Sequence, residues 1–231
     1  MMRAMANGSG QAPGYGPPGS DPYAADRAMA DWAKQRGYEM ANTGDARPHQ
    51  AWMPFQYLPR FDRIGRELRI EVGDLKIAIV EAFDTDPIKQ AAGEQQSLIV
   101  FILAPKVTSR VAVRSKQTAG LADDVTRGLS AIGGFFASGG QQSAPPGAVL
   151  GDPTLEARCD VMTPSREEGN AALPMTLRRI LVSPGFRGAV EIRRGGIVMS
   201  LHEYRAFEPR TLEALIELVK QLAVAATPAD Q

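Results

Sequence analysis

Residues 188–226 constrain the fold most, because they join a tight hairpin pattern to a helical pattern. Apolar and polar residues alternate on both sides of Gly195-Gly196. A Gly-Gly pair between two alternating runs is typical of a two-residue hairpin turn, since both turn positions can adopt positive φ. The alternation predicts two antiparallel strands, with Ile197, Met199 and Leu201 on the core face.

The segment after this hairpin has a helical period. Pro209 suits the first helical turn, where its missing N–H costs nothing, and Thr227-Pro228 predicts the helix end. The apolar stripe of this helix must be buried, and the preceding hairpin offers the nearest surface. The stripe consists of Leu212, Leu215, Ile216, Val219, Leu222 and Ala223.

Residues 68–83 repeat the hairpin pattern nearer the start of the chain, with Gly73-Asp74 as the predicted turn. Residues 98–103 are continuously apolar, which is typical of a strand buried on both faces. A shorter strand is predicted around Val111 and Val113. Together these patterns predict an α+β fold, a mainly antiparallel sheet built from β-hairpins with covering helices.

Composition along the chain predicts four parts. Residues 1–20, rich in Gly, Pro, Ser and Gln, are predicted to be a disordered tail. Residues 21–138 form a first α+β part with a helix, four strands and a helix. Residues 139–153, again rich in Gly and Pro, are predicted to be a flexible linker or loop. Residues 154–227 form a second part in the order β-α-β-β-α, whose first strand is predicted at residues 155–161.

The aromatic, proline-spaced segment 52–61 is predicted to run extended over the core. Two interpretations of Trp52, Phe55 and Tyr57 stay open. They could line a pocket, or they could be core packing, which is the favoured interpretation because large aromatic side chains usually bury themselves.

Residue types that carry chemistry are few. The chain has one cysteine, Cys159, which excludes an internal disulfide and is predicted to be a buried strand thiol. It has two histidines, His49 and His202, without the spacing of a metal site, so His202 is predicted to be structural. The carboxylate pair Asp84/Asp86 fits a turn, and the pair Asp123/Asp124 fits the first turn of a helix. No catalytic, cofactor or metal residues are therefore predicted, and the balance favours a protein that is not an enzyme.

Charge and hydropathy limit the partners. The 26 basic and 26 acidic residues cancel, so no overall field attracts nucleic acid, which is disfavoured as a partner. No apolar run approaches the roughly 18 residues of a membrane span, and the start lacks a signal-peptide pattern. A cytoplasmic protein is the resulting expectation, and richness in Ala, Arg and Gly suggests a bacterial one.

The order of features resembles a bacterial family of uncharacterised α+β domains, found as soluble proteins and behind transmembrane helices. The resemblance rests on the helix end at residues 32–38, the hairpin at 66–84, the apolar strand at 98–103 and the closing β-α-β-β-α unit. It implies a fold and no reaction. The chain departs from the family in lacking membrane spans and in its glycine-rich insertion at 133–147.

Three functional hypotheses follow. No cofactor is predicted, and the sequence does not indicate the oligomeric state. The favoured one is a non-enzymatic module that binds an unidentified protein partner. The second is peripheral attachment to a membrane surface through an apolar stretch assisted by an arginine patch. The third is an enzyme whose site is assembled from dispersed residues. The apolar stretch consists of Leu129, Ile132, Phe135 and Phe136, and the anion patch of Arg178, Arg179, Arg187, Arg193 and Arg194.

Overall fold

A computed structural model of the protein describes residues 24–42, 44–87, 96–116, 150–204 and 206–226. These ranges contain six helices and eight strands, so the predicted α+β fold is confirmed. In chain order the elements are α1 (Ala24–Gln35), β1 (Glu39–Ala41), α2 (Ala46–Gln50), β2 (Arg63–Val72), β3 (Leu75–Phe83), β4 (Gln96–Leu103), β5 (Val111–Ser115), α3 (Pro153–Arg158), β6 (Cys159–Met162), α4 (Arg166–Ala172), α5 (Met175–Leu181), β7 (Gly188–Arg193), β8 (Gly196–Leu201) and α6 (Pro209–Ala226).

The strands form one antiparallel sheet in the order β1-β2-β3-β4-β8-β7-β5-β6. Both predicted hairpins are present, and their turns contain Gly73 at φ 57° and Gly195 at φ 86°, which glycine adopts without a Cβ clash. Strand β5 pairs with β6 and β7, and β4 pairs with β8. Strands from both predicted parts of the chain therefore share one sheet.

One face of the sheet is covered by helices. The α6 stripe is buried, as its helical period predicted, and it belongs to the same core as the core-facing residues of β8 and Trp32 of α1. The neighbouring helices α3, α4 and α5 each add buried residues to it. Burying this much apolar surface at about 25 cal/mol per Å2 is the main force that holds the helices on the sheet.

The strand predicted at residues 155–161 is shorter than its alternation suggested. Residues up to Arg158 form helix α3, and strand β6 begins at Cys159. Asp152 caps this helix, because its side chain accepts a hydrogen bond from the Leu155 N–H at 3.1 Å, and Pro153 fits the first helical position. The capping residues Asp152 and Pro153 thus determine the local structure, although residues 155–161 also alternate as in a strand.

The opposite face of the sheet is covered by residues 46–62, which we call the strap. The strap contains the short helix α2 followed by an irregular segment. This segment lies over the core as predicted for residues 52–61, but it bends at residues 56–58 instead of running extended. Beneath it lies a second, smaller core. This core consists of Leu58, Phe61, Ile64, Val80, Ala82, Ile99, Phe101, Ala189 and Val198.

Several predictions fall outside the described residues. They concern the tail at 1–20, the apolar stretch at 129–136 and most of the linker at 139–153. Of that linker, Leu150 is buried in the helix-side core, and Asp152 is the helix cap described above.

Candidate functional site

The buried carboxylate of Glu191 holds the middle of the strap. Its Oε1 accepts hydrogen bonds from three successive backbone N–H groups, those of Gln56 at 2.6 Å, Tyr57 at 2.9 Å and Leu58 at 3.4 Å. Glu191 lies on β7 and is only 2% exposed. Because a buried N–H without an acceptor is costly, this one side chain stabilises the course of the strap over the sheet.

Arg193, two residues further along β7, fixes the preceding part of the strap. Its guanidinium donates to the carbonyl oxygens of Trp52 and Pro54, and it also pairs with the second carboxylate oxygen of Glu191. Phe55 lies over the same guanidinium, 5.4 Å from the ring centroid to Cζ. The Glu191–Arg193 ion pair therefore binds both donors and acceptors of the strap backbone.

A second charged anchor lies at the helical end of the strap. The Nε2 atom of His49 on α2 is 3.3 Å from Oε1 of Glu67 on β2, and Arg69 donates to the same oxygen at 2.8 Å. The His49 ring also packs on Phe101, with 4.5 Å between ring centroids. The hydrogen bond from His49 and, to a smaller extent, that from Arg69 lower the pKa of Glu67 to about 2, against the opposing effect of burial.

The lowered pKa of Glu67 predicts a specific loss of stability in acid. Because the folded-state pKa lies below the unfolded value of 4.5, the stabilisation is complete above pH 4.5 and disappears as the pH falls towards about 2. We expect Glu67→Gln to flatten the fall of unfolding free energy across this range, as measured by urea denaturation at stepwise pH. The exposed Glu71→Gln variant serves as control, and an unchanged acid limb in Glu67→Gln would contradict the assignment.

An open groove of about 680 Å3 lies between the strap and the loop that follows β3. We call it the strap groove, and it is lined by Met53, Pro54, Arg60, Phe61, Asp62, Asp84 and Asp86.

The walls of the strap groove are tied to each other. The Asp62 N–H donates to the Phe83 carbonyl at 3.0 Å, and the Asp62 carboxylate accepts from the backbone N–H and the hydroxyl of Thr85. Asp84 accepts from the Asp86 N–H at 3.0 Å, which is the turn predicted for these two residues. Phe61, one of the lining residues, is 3% exposed. The strap and the loop after β3 are thus hydrogen-bonded to each other beside the groove.

The aromatic residues singled out in the sequence pack on the second core, in line with the favoured interpretation. Trp52 meets Phe101 edge-on with ring centroids 5.9 Å apart, and Phe55 stacks on Phe61 at 6.3 Å. Tyr57 lies over the guanidinium of Arg114, which in turn pairs with Asp160. The groove itself is lined by chain neighbours of these aromatic residues, such as Met53 and Pro54.

The predicted arginine patch is distributed over several elements. Arg178 on α5 donates to the Leu173 carbonyl, to Asn170 and to Asp152, and Arg187 lies 3.4 Å from Glu203. Arg193 faces the strap as described, whereas Arg179 and Arg194 are exposed. An anion site formed by these residues stays a prediction. The apolar stretch proposed for a membrane lies outside the described residues.

Cys159 and His202, the other residues considered for chemistry, are both hydrogen-bonded to backbone carbonyl groups. Cys159 is buried, its thiol donates to the Leu181 carbonyl at 3.6 Å, and burial raises its pKa to about 11. His202 is exposed in the turn after β8, where its N–H donates to the Arg187 carbonyl. Within the described ranges, no three His, Cys, Asp or Glu side chains are grouped as metal ligands would be.

Sequence reasoning missed the buried carboxylates Glu67 and Glu191. Both occupy strand positions that alternate with core residues. If one face of the sheet is assumed to be exposed to solvent, this alternation places both side chains on the exposed face. The available signal was the continuous apolar run of β4, which required a cover on the second face as well.

No protein-family model matches the chain, and no curated protein matches its sequence. The structure is similar to the crystal structure of the mycobacterial trehalose monomycolate transport factor A, TtfA, with a TM-score of 0.52. The two share 9% sequence identity, and the match covers 89% of this chain and 97% of that chain. This similarity shows a common fold. Among the helices that the structure describes, none has the length and apolar character required to cross a bilayer.

Proposed function

We propose that this chain is a non-enzymatic interaction module that binds a partner protein through the strap groove. The observation that carries the proposal is the groove itself, which is open to solvent and lies between two segments that are hydrogen-bonded to each other. A surface that is already ordered before binding loses little conformational entropy when a partner docks. The bacterial cytoplasm is the compartment expected for this role.

The buried carboxylates and the buried thiol support a non-enzymatic role, because each of them serves the fold. Glu191 and Glu67 hold the strap, and Glu81, near the end of strand β3, accepts hydrogen bonds from Arg66 and Gln96. The Cys159 thiol, with its raised pKa, is unsuited to nucleophilic attack. These arrangements stabilise a scaffold and leave the groove as the feature that a partner would recognise.

The fold neighbour suggests the setting in which such a module works. TtfA is described as a transport factor, and the match extends over nearly its whole chain. We propose that the present protein likewise acts as an accessory factor of a transport assembly. In this role the fold supplies a rigid platform, and the strap groove contacts a protein component of the assembly.

Site-specific photocrosslinking in the native host tests the proposal. A benzophenone amino acid is introduced at Arg60 or at Asp86 on the groove rim, and at Glu217 on α6 as the control. We expect both rim positions to give the same adduct of defined mass, and the control position, on a helix that packs on the other face of the sheet, to give none.

The identity of the adduct separates the two parts of the proposal. A component of a transport assembly would support both parts, whereas a protein without any link to transport would contradict the accessory role alone. No adduct at either rim position, or the same adduct from Glu217, would contradict groove-mediated binding.

A further inference from the structure

The strap is joined to the sheet by backbone hydrogen bonds at both of its ends. Just before the strap, the Gly44 N–H donates to the Gly65 carbonyl at 2.8 Å. At the far end, the Asp62 N–H donates to the Phe83 carbonyl at 3.0 Å. The attachments described above for the part between these two ties come from side chains of β2 and β7. The ends of the strap are therefore continuous with the sheet, whereas its middle is docked on the sheet.

The two faces of the sheet carry separate cores. Leu58 and Phe61 of the strap are buried in the second core, and Trp52, Phe55 and Tyr57 pack against it. Within the described chain, the helix-side core contains no residue of the strap. The sheet between the two cores is joined by its own strand pairings. Loss of the strap contacts would thus remove one cover and leave the strand pairings and the helix-side core in place.

The attachment of the strap combines apolar contacts with buried charge. Glu67 and Glu191 are each 2% exposed, and each is bound by groups that the strap supplies. A carboxylate that returns to water regains its hydration, which offsets part of the cost of exposing apolar surface in the same movement. The irregular backbone of the strap also regains conformational entropy when it leaves the sheet. Both effects make the strap less costly to detach than an apolar cover of equal area.

We propose that the strap is a hinged cover, which opens as one unit about the backbone ties at Gly44 and Asp62 while the sheet and the helix-side core stay folded. Opening separates the strap from its charged anchors and from Phe101 together, and it exposes the second face of the sheet to solvent. Met53 and Pro54 move with the strap, so the open state lacks one wall of the strap groove. This motion is a property of the chain itself and does not depend on the proposed partner.

Native-state hydrogen exchange at low concentrations of urea tests whether the strap opens as a unit. The informative amides are that of Trp52, which donates to the His49 carbonyl, and those of Gln56 and Tyr57, which donate to Glu191. We expect them to exchange at least about 100-fold faster than the amides of β4, because sub-global opening requires less free energy than global unfolding. All three should show the same weak dependence on urea, since one movement exposes them together.

The amides of Gly44 and Asp62 distinguish a hinged cover from a general loosening of this face. Both donate to carbonyl groups of the sheet at the two ends of the strap. We expect them to exchange at least about tenfold more slowly than the strap amides, because the hydrogen bonds at the hinges persist in the open state. Exchange of Gly44 and Asp62 at the same rate as the strap amides would contradict the assignment of the hinges.

The Glu67→Gln variant tests whether both ends of the strap open together. It weakens only the α2 end, because an amide carries no charge for the neighbouring imidazole and guanidinium. We expect the exchange of Gln56, which binds the other anchor, to accelerate by the same factor as that of Trp52, about fivefold or more. Glu71→Gln, which changes an exposed glutamate of the same strand, is the control and should leave both rates unchanged. The β4 amides show in each variant that the sheet is folded.

Two further results would overturn the hinged cover. Strap amides that exchange only together with the β4 amides, in global unfolding, would show that the strap and the sheet form one cooperative unit. Acceleration confined to the α2 end in Glu67→Gln would show that parts of the strap loosen separately. Neither result decides whether the strap groove binds a protein, which is tested by the crosslinking at Arg60 and Asp86.

Discussion

Replacing Glu191 by alanine is expected to lower the free energy of unfolding by about 3–5 kcal/mol, the cost of breaking a buried charged network from one side. The variant leaves the N–H groups of residues 56–58 without their acceptor and deprives Arg193 of its carboxylate. These groups lie beneath or within the strap, and their hydrogen bonds to Glu191 are buried or part-buried. The loss should therefore concentrate in the strap rather than spread over the sheet.

Urea denaturation gives the overall loss, and hydrogen exchange of the backbone amides at 56–58 shows where it arises. The free energy of unfolding of Glu191→Gln should lie between that of the unmodified protein and that of Glu191→Ala, because an amide oxygen accepts hydrogen bonds but carries no charge. Glu71→Ala is the matched control, a strand glutamate that is exposed and lies 3.9 Å from Lys76. A Glu191→Ala variant as stable as this control, with the strap amides still protected, would show that the carboxylate does not hold the strap.

The hairpins and the long helix could be predicted because their signals are local. Alternation around Gly73-Asp74 and around Gly195-Gly196 indicates both pairs of strands. The first turn is present as predicted, whereas the second consists of Arg194 and Gly195, because Gly196 already pairs with Arg193. The α6 stripe likewise depends only on helical spacing. Tertiary packing reinforces these local preferences instead of opposing them, so the sequence pattern and the structure agree.

The strap groove could not be predicted, because its determinants are distant in the chain. Glu191 binds amides 133 to 135 residues away, and Arg193 binds carbonyls 139 and 141 residues away. Local patterns describe Glu191 as an outward strand residue and Trp52 as a member of an aromatic run. Only the long-range pairing of β4 with β8 places β7 in the sheet that the strap covers.

Substituting Phe101 by alanine is expected to cost about 3–5 kcal/mol of unfolding free energy through the second core. Phe101 lies on β4 and is 3% exposed. Its ring contacts His49, Trp52 and Phe61, with centroid distances of 4.5, 5.9 and 6.4 Å. All three partners belong to the strap, so the substitution would leave a cavity under the strap. The side chains of the strap could fill this cavity only by shifting.

A double-mutant cycle shows whether this cost belongs to the strap. Phe101→Ala combined with Trp52→Ala should be markedly non-additive, because the two rings are in contact. Phe101→Ala combined with Leu212→Ala, in the core on the opposite face, should be additive within about 0.5 kcal/mol. Urea denaturation of the single and double variants supplies the energies. Additivity in both pairs would mean that Phe101 stabilises the sheet without holding the strap, and the groove would then depend on its charged anchors alone.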